Sequence, residues 1–376
     1  MSVSVQVVTT KKQKSTFLNL PWELYRGDPN WVPPLRMNQK EMVNYKRHPF
    51  FDDAEITTFL AYQGNKPVGR IAAIVNHGHN RLYPDEQRGF VGFFESIDDQ
   101  AVANALFDAA REQLASQGLT IMRGPTNPSQ NHECGLLVQN FDMPPTFMLT
   151  YNHEYYVKLW ENYGWQKAQD LLTFVGFKSH LSQMEKKIQF VADEAAKRFN
   201  VKIRRVNKRR FLDDVRTFLN IYNQSLYGQW GHVPMSDAEV VHTANSLRFL
   251  IVPEVSLIAE VDGKPVGSMI GLLDYNPRIK QIDGRLFPFG FLKLLLNRGS
   301  IKRLRLLSTN VLPEYQRWGI GVILASRMLQ PALDFGMEEG EFSWVLESNH
   351  LSRKTLERGK LLVEKVHRMY DWFPND

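Results

Sequence analysis

The sequence predicts a mixed α/β protein built from two tandem copies of one domain, each with a central mixed sheet. Its 376 residues exceed one ordinary domain and suit two. Each half contains apolar runs that alternate around a tight turn, the pattern of a β-hairpin. Short matches recur in the same order at an offset of about 200 residues, which indicates duplication. They are TFLN at 16–19 and 217–220, VP at 32–33 and 233–234, KPVG at 66–69 and 264–267, and NH at 152–153 and 349–350.

The elements of each copy follow one order. A first strand, SVQVV or VKIRRV, precedes a helical stretch, and a hairpin follows. The hairpins are ITTFLAYQGNKPVGRIAAIV and VSLIAEVDGKPVGSMIGLL, which turn at Gly64-Asn65 and Asp262-Gly263. Each copy continues with a strand, a long helix, another strand and a last helix that begins near the repeated Asn-His. We expect one domain over 1–180, a connecting amphipathic helix over 181–200 and a second domain over 201–376.

Composition excludes several classes of protein. Hydrophobic residues make up 43% and charged residues 23%, as in ordinary globular proteins. The formal charge of +6 suits an anionic ligand or membrane surface. The densest basic run, KIRRVNKRR at 202–210, lacks the interleaved aromatics that stack on bases, so we expect no nucleic-acid partner.

Cysteine usage and hydropathy point to a reducing compartment. Cys134 is the single cysteine, which rules out an intrachain disulfide, and no histidine or carboxylate cluster has metal-ligand spacing. The N-terminus has no apolar signal region, and no apolar run reaches the roughly 20 residues of a membrane span. We therefore expect a cytoplasmic protein that holds no metal.

The hexamer QRWGIG at 316–321 marks a candidate anion site. It follows the predicted strand RLRLLSTNVL and precedes the predicted helix VILASRMLQPALDFG, in which Pro331 should produce a kink or an interruption. Backbone N–H groups and the helix dipole favour an anion at such a strand–glycine–helix junction. The segment contains neither GxxxxGK[ST] nor GxGxxG, which excludes two common phosphate-binding patterns. The alternative is a surface turn.

The first copy differs at the same junction. Its sequence there is ESIDDQAVANALFDAA, in which Asp98 and Asp99 favour a helix N-terminus. Carboxylates at that position would occupy the anion site and repel a phosphate. Only the second copy is therefore expected to bind a phosphorylated ligand.

The second copy resembles the GNAT acyl-CoA N-acyltransferases. The resemblance rests on VLPEYQRWGIG at 311–321 and WVLESNHLSRKTLERGK at 344–360, and it covers most of 201–376. It implies that acyl-CoA is the co-substrate, that no metal takes part, and that the acyl group passes to an amine. It also implies two groups of cofactor-binding residues. Those near the pyrophosphate are Gln316, Arg317, Trp318, Gly319, Ile320 and Gly321, and those along the pantetheine arm are Asn310, Val311, Leu312 and Asn349.

The usual acid and base of that family have no counterpart in the second copy. Where many relatives have a tyrosine seven residues beyond the asparagine, this chain has Leu356, and RLRLLSTNV contains no carboxylate. The stretch 124–174 of the first copy is rich in polar and aromatic residues, and it resembles tandem GNAT-like proteins that include bacterial ceramide synthase-like proteins. It offers Glu133, Tyr155 and Tyr156 as catalytic candidates and Asn127, Asn131, Tyr151 and His153 as substrate-binding candidates. The alternative is structural, with asparagines capping turns and tyrosines filling an interface.

The apolar stretch LFPFGFLKLLLNRGSIKR at 286–303 bears on the acceptor. It would line a long acyl or alkyl groove, lie against lipid with its basic end on headgroups, or be a helix buried over the sheet. We expect an acyl-CoA-dependent N-acyltransferase whose acceptor is an amine, small or long-chain and sphingoid-like. The alternative is a non-catalytic CoA- or lipid-binding regulatory protein. The sequence does not indicate the oligomeric state.

Overall fold

The structure is a computed structural model that describes residues 2–181 and 185–374. Residues 182–184 of the expected connecting segment, and Met1, Asn375 and Asp376 of the expected domains, lie outside the described residues. The strands are β1 Val3–Val7, β2 Ala54–Gln63, β3 Lys66–Asn76, β4 Gly89–Ser96, β5 Met122–Gly124, β6 Thr126–Asn127, β7 Glu133–Cys134, β8 Leu136–Gln139, β9 Gln166–Phe177, β10 Val201–Arg205, β11 Ser256–Val261, β12 Lys264–Leu273, β13 Arg303–Val311, β14 Glu339–Leu346 and β15 Leu362–Trp372.

The helices alternate with these strands in both halves of the chain. They are α1 Lys11–Leu24, α2 Arg36–Met42, α3 His77–Leu82, α4 Gln100–Ala115, α5 Tyr155–Tyr163, α6 Lys178–Leu181, α7 Glu185–Arg198, α8 Phe211–Ser225, α9 Asp237–Leu247, α10 Asn276–Gln281, α11 Gly290–Leu295, α12 Ile320–Asp334 and α13 His350–Arg358. Within the described part of the chain, no helix combines the length and the apolar character that crossing a bilayer requires.

The predicted hairpins are confirmed. Strands β2 and β3 pair antiparallel from Gln63 and Lys66, and β11 and β12 pair antiparallel from Val261 and Lys264. Each connection is therefore a two-residue turn. Gly64, Asp262 and Gly263 have positive φ angles, as tight hairpin turns require. The predicted first strands are β1 and β10, which pair with β2 and β11.

The chain forms two compact units. The first unit comprises the described residues of Met1–Leu171, Asn276–Phe291 and Lys365–Asp376, and the second comprises those of Leu172–Tyr275 and Leu292–Glu364. Two segments of the second half of the sequence, 276–291 and 365–374, thus pack with the first half.

The sheet of the first unit has the strand order β1-β2-β3-β4-β5, and the end of β15 pairs with β5 and β8. Only the β4–β5 pair among these is parallel. Alternate residues of β3 belong to two separate buried clusters. Ile71 and Ala73 pack with α4, whereas Ala72 and Ile74 pack with α1. Covered on both faces, β3 reads as a nearly continuous apolar run.

The sheet of the second unit has the corresponding order β14-β13-β12-β11-β10. Its β13–β14 pair is parallel, and the other pairs are antiparallel. Helices α8 and α12 both pack against β12 and β13. This match in order and direction agrees with duplication of one domain.

The repeated KPVG has a common packing role. A Cβ on Gly69 would lie 2.8 Å from Leu106 Cδ1 of α4, and one on Gly267 would lie 2.8 Å from Ile320 Cγ2 of α12. Both distances are shorter than real Cβ contacts, so a side chain at either position would force Leu106 or Ile320 to shift. The repeat therefore provides room for the side chains of α4 and α12 where these helices pack on their sheets.

The expected interruption at Pro331 does not occur, because α12 continues to Asp334. Pro331 lies in the last turn, so the missing N–H removes a single intrahelical hydrogen bond near an end that is already short of partners.

A buried ion cluster ties the C-terminal strand to the first unit. Asp371 of β15 accepts hydrogen bonds from Arg123 Nε at 2.7 Å and from Arg88 Nη1 at 2.8 Å. All three side chains are almost fully buried. Removing the Asp371 carboxylate would leave the buried guanidinium groups of Arg88 and Arg123 without this anionic partner.

We expect Asp371→Ala to destabilise the first unit by about 3–5 kcal/mol, as breaking a buried ion pair does. Hydrogen exchange of the β5 and β15 amides measures the loss. Asp52→Ala, which removes an exposed pairing with Arg47, is the control and should cost at most about 1 kcal/mol. Equal exchange in the two variants would show that the Asp371 cluster does not hold β15.

Candidate functional site

The junction between β13 and α12 has the geometry of an anion site. After β13, residues Pro313–Trp318 form a 3-10 turn, and Gly319 adopts a left-handed conformation with φ of 76°. Gly319 is the N-cap of α12 and has no side chain with which to cap the helix. The first N–H groups of α12 are therefore left for another acceptor.

Space is available next to these N–H groups. A Cβ on Gly321 would meet only Thr309 Cγ2, at 3.9 Å, within 4 Å. Arg317 and Gln316 are exposed, and Gln316 Nε2 donates to the Val311 carbonyl at 3.4 Å. A fixed positive charge thus lies one turn before an uncapped helix start, which suits a phosphate.

Two predicted residues of the loop face the protein. Trp318 stacks on Phe199 with ring centroids 4.6 Å apart and meets the edge of Tyr315 at 4.8 Å. Ile320 is fully buried. Their side chains hold the loop in place, and only their backbone groups are offered to a ligand.

Strands β13 and β14 stop pairing before either strand ends. Their parallel ladder runs from Arg303 and Glu339 to Leu306 and Phe342. In the described chain β13 continues to Val311, still paired with β12, and β14 continues to Leu346. Among the described strands, none pairs with the β14-facing edge of residues 307–311, and an extended ligand could take that place.

The remaining predicted cofactor residues have internal partners. Asn310 is buried, donates to Ser308 Oγ at 2.6 Å and accepts from Ser225 Oγ at 3.2 Å. The Leu312 amide donates to the Val266 carbonyl at 2.9 Å. Asn349 is the N-cap of α13, and its Oδ1 accepts from the Ser352 amide at 3.1 Å. Val311 lies at the end of the open strand edge, and its carbonyl also accepts the long hydrogen bond from Gln316 Nε2.

In the first unit, side chains of the protein bind the backbone groups that are open in the second unit. The first example is the start of α4. Asp99 is the N-cap of α4, and its Oδ1 accepts from the Ala101 amide at 2.9 Å. The predicted acidic helix start is thereby confirmed. The carboxylate occupies the position that the second unit leaves to Gly319.

Asn127 binds a backbone group of β4 in the first unit, the amide of Phe93. Phe93, a left-handed residue within the irregular part of β4, donates its amide to Asn127 Oδ1 at 2.6 Å. A Cβ on Gly92 would lie only 1.6 Å from the Thr126 carbonyl, so the chain at Thr126 runs directly against β4. In the first unit, the chain at Thr126 therefore covers the edge of β4. The equivalent edge of β13 in the second unit is open.

Tyr155 and Tyr156 occupy the end of β4. Tyr155 Oη donates to the Ser96 carbonyl at 2.7 Å, and the Ser96 amide donates to Tyr156 Oη at 3.0 Å. Ser96 pairs with Gly69, as Val311 pairs with Gly267. Ser96 is therefore the counterpart of Val311, and both of its backbone groups are already used.

Glu95, which sequence reasoning missed, is the centre of a polar cluster in the first unit. Its Oε2 accepts from Tyr25 Oη at 2.9 Å and Tyr156 Oη at 2.8 Å, and Arg70 Nη2 lies 3.5 Å from Oε1. Burial raises the pKa of the Glu95 carboxyl and also raises the pKa of both tyrosines. A charged residue in the otherwise apolar run GFVGFFES was the available signal, because a buried carboxylate needs partners.

The cluster has a counterpart in the second unit. Glu95 pairs with Arg70, and Asn310 pairs with Ser268, each directly after the KPVG glycine. In the first unit, Tyr25 at the end of α1 donates to Glu95. In the second unit, Ser225 at the end of α8 donates to Asn310. Duplication thus placed a carboxyl and an amide at equivalent positions.

The other predicted aromatic residues surround Tyr25. His153 stacks between Tyr25, at 4.3 Å, and Tyr155, at 5.1 Å, and its Nε2 lies 3.2 Å from the Leu24 carbonyl. Tyr151 Oη donates to Asp28 Oδ2 at 3.0 Å. The structure therefore brings Tyr155, Tyr156 and His153 together around Glu95 and Tyr25.

Glu133 and Asn131 belong to a different local feature. Glu133 lies on β7 opposite Asn127 of β6, and the Asn131 amide donates to Ser129 Oγ at 3.3 Å in the turn between them. Both residues are half-buried. In the described residues, no group of three or more histidine, cysteine or carboxylate side chains is placed to hold a metal ion.

Comparisons with known proteins agree with this geometry. Residues 215–359 match the acetyltransferase (GNAT) family. Protein YghO of Escherichia coli is 32% identical over 98% of this chain and 94% of its own length. The bacterial ceramide synthase of Caulobacter vibrioides is 33% identical over 98% of this chain and 97% of its own.

Solved structures share the fold at low identity. A tandem GNAT protein from the clavulanic acid biosynthesis pathway covers 100% of both chains with a TM-score of 0.60 at 11% identity. The glucosamine N-acetyltransferase region of a fungal multi-domain enzyme matches 99% of this chain, and 38% of that protein, with a TM-score of 0.57. The protein belongs to the GNAT acyltransferase family. Within it, the chain has the tandem fold and is homologous to the Caulobacter ceramide synthase along its full length.

Proposed function

We propose that this protein is an acyl-CoA-dependent N-acyltransferase that transfers an acyl group from CoA to an amine. The observation that carries the proposal is the uncapped start of α12 in the second unit, with open space at Gly321 and an unpaired strand edge at 307–311. These features fit a pyrophosphate and an extended pantetheine arm. The first unit, where Asp99, Asn127 and the two tyrosines fill the equivalent positions, is not proposed to bind CoA.

The reaction follows from the donor. A neutral amine nitrogen attacks the thioester carbonyl carbon, the carbon–sulfur bond breaks, and the departing thiolate takes a proton. The N–H groups at the start of α12 and the Arg317 guanidinium hold the pyrophosphate. The backbone edge near Val311 holds the arm that carries the acyl group.

The departing thiolate needs a proton donor. Leu356, at the position where many relatives have a tyrosine, cannot donate a proton, so other groups must do so. We keep Glu133, Tyr155 and Tyr156 as catalytic candidates and add Glu95 to them. The candidates for binding the acceptor remain Asn127, Asn131, Tyr151 and His153. The support for Glu95 is its contact with two tyrosine hydroxyls and a pKa that burial raises above the usual range of a carboxyl, a perturbation common among groups that transfer protons.

The acceptor in this proposal is a long-chain amine. The name of the Caulobacter relative, a bacterial ceramide synthase, supports a sphingoid-like acceptor. Such an amine would come from a membrane, and 286–303 is the segment proposed to contact it. A CoA- or lipid-binding regulator without turnover is the rival, and release of free thiol from acyl-CoA in the presence of amines separates the two.

Changing Gly321 to Asp should lower acyl-CoA affinity by at least about 100-fold, because a carboxylate next to a phosphate costs about 4 kcal/mol at 4 Å and an effective dielectric constant of 20. Calorimetric titration with acyl-CoA measures the change. Ala101→Asp, the matched change at the start of α4, should leave affinity unchanged. Gly321→Ala should also bind, since its Cβ has room. Equal losses in Gly321→Asp and Ala101→Asp would refute a single binding unit.

Replacing the acceptor-side groups should separate turnover from donor binding. We expect Glu133→Gln, Tyr155→Phe and Glu95→Gln each to lower kcat by about 100-fold or more, as loss of an acid or base does, with acyl-CoA affinity nearly unchanged. Steady-state kinetics and calorimetry on the same preparations give both values.

A purely structural role makes a different prediction for these variants. It lowers the melting temperature and reduces every activity in proportion to the folded fraction. Folded variants with wild-type turnover would remove the corresponding residue from the proposed chemistry.

A further inference from the structure

The segment 286–296, here called the apolar loop, displays large hydrophobic side chains to solvent. Phe287 and Phe289 are 67% and 72% exposed, and Leu292 and Leu296 are 41% and 63% exposed. The buried-helix alternative from the sequence is therefore wrong for these residues. The rings of Phe287 and Phe291 lie 6.1 Å apart between centroids. An exposed apolar set of this size marks an interaction surface.

The chain leading into the apolar loop is held firmly within the first unit. Trp22 Nε1 donates to Asp283 Oδ1 at 2.6 Å, and Arg36 pairs with Asp283 Oδ2 at 2.8 Å. Asn276 Nδ2 donates to the Pro145 carbonyl at 2.7 Å. The loop therefore starts from a fixed base.

The apolar loop itself is folded tightly. A Cβ on Gly290 would lie 1.9 Å from the Arg285 carbonyl, so the chain closes on itself there in a way that only glycine permits. The Phe291 amide donates to the Leu286 carbonyl at 2.9 Å, and Leu294 is buried. The exposure of the phenylalanines is thus a property of an ordered turn.

Duplication shows that this surface is specific to the second copy. The chain that leaves β3 in the first unit forms α3 and a polar connection, NHGHNRLYPDEQRG, in which His79 is buried. The chain that leaves β12 carries the apolar loop in its place. The fold does not require exposed phenylalanines at this position, since one copy does without them.

Charge identifies the partner. No acidic residue occurs from Gly284 to Pro313, and four basic residues border the apolar side chains in the sequence: Arg285, Lys293, Arg298 and Lys302. Two of them also form exposed ion pairs, Arg285 with Asp283 at 3.7 Å and Lys302 with Glu338 at 3.3 Å, which are weak and leave both cations accessible to headgroups. Apolar side chains bordered by basic ones suit the boundary between acyl chains and anionic headgroups. A second copy docked by two-fold symmetry would bring these like charges face to face.

We propose that the apolar loop inserts Phe287 and Phe289 into the surface of a membrane containing anionic lipids, with the flanking basic residues on the headgroups. This inference rests on the proposed function for its purpose, but the insertion itself does not depend on acyl-CoA. It supplies a route by which a membrane-resident amine reaches the enzyme.

Flotation of the full-length protein with vesicles tests the proposal. Vesicles of phosphatidylcholine with phosphatidylglycerol should bind it, vesicles of phosphatidylcholine alone should bind it less, and added salt should weaken binding. The double variant Phe287→Ser/Phe289→Ser should bind at least about tenfold more weakly, since each phenylalanine contributes through its buried apolar area. The control Leu351→Ser removes a leucine that is 70% exposed on α13 and should bind like the wild type.

Other outcomes overturn the proposal. Failure of the wild-type protein to bind either vesicle would do so, as would equal binding by the double variant and the control. Sedimentation velocity identifies self-association: a dimer lost in the double variant, without vesicle binding, would assign the surface to a second copy. Calorimetry with acyl-CoA on the double variant should give wild-type affinity, which separates this proposal from the transferase proposal.

Discussion

Backbone hydrogen-bonding groups at the end of the fourth strand and the start of the following helix must find partners, and each unit meets this requirement differently. The first unit uses side chains of its own: Asp99 caps α4, Asn127 accepts from Phe93, and Tyr155 and Tyr156 bind Ser96. The second unit begins α12 at Gly319, and β13 leaves β14 after Leu306. The first copy thereby fills the positions at which a phosphate and an extended arm fit, and the second copy keeps them open.

The same divergence explains the polar cluster around Glu95. Glu95 and Asn310 are equivalent by sheet register. Tyr25, at the end of α1, binds Glu95, and Ser225, at the end of α8, binds Asn310. An amide is neutral, so its burial costs less than that of a carboxylate, and Glu95 is accordingly surrounded by two tyrosine hydroxyls and Arg70. The tyrosines that close the ligand groove of the first unit thus also stabilise its buried acid, so both changes belong to one network.

Features set by nearby residues could be predicted from the sequence. The hairpin turns, the KPVG repeat, the Asp99 cap and the glycine start of α12 depend on residues within a few positions of each other, and the structure has all of them. Features that depend on distant residues could not. The packing of 276–291 and 365–374 with the first unit, the contact of Tyr25 with Glu95, and the exposure of Phe287 arise from tertiary contacts that no local pattern encodes. The continuation of α12 past Pro331 has a local reason instead, because the proline lies in the last turn of the helix.

Hydrogen exchange of the full-length protein with and without CoA tests the asymmetry between the units most directly. The asymmetry predicts that CoA slows exchange of the amides at the start of α12 and along residues 307–311. It predicts no change at the start of α4 or at Phe93 and Ser96, whose amides or carbonyls are already bound within the first unit. Protection at both helix starts, or at α4 alone, would contradict it.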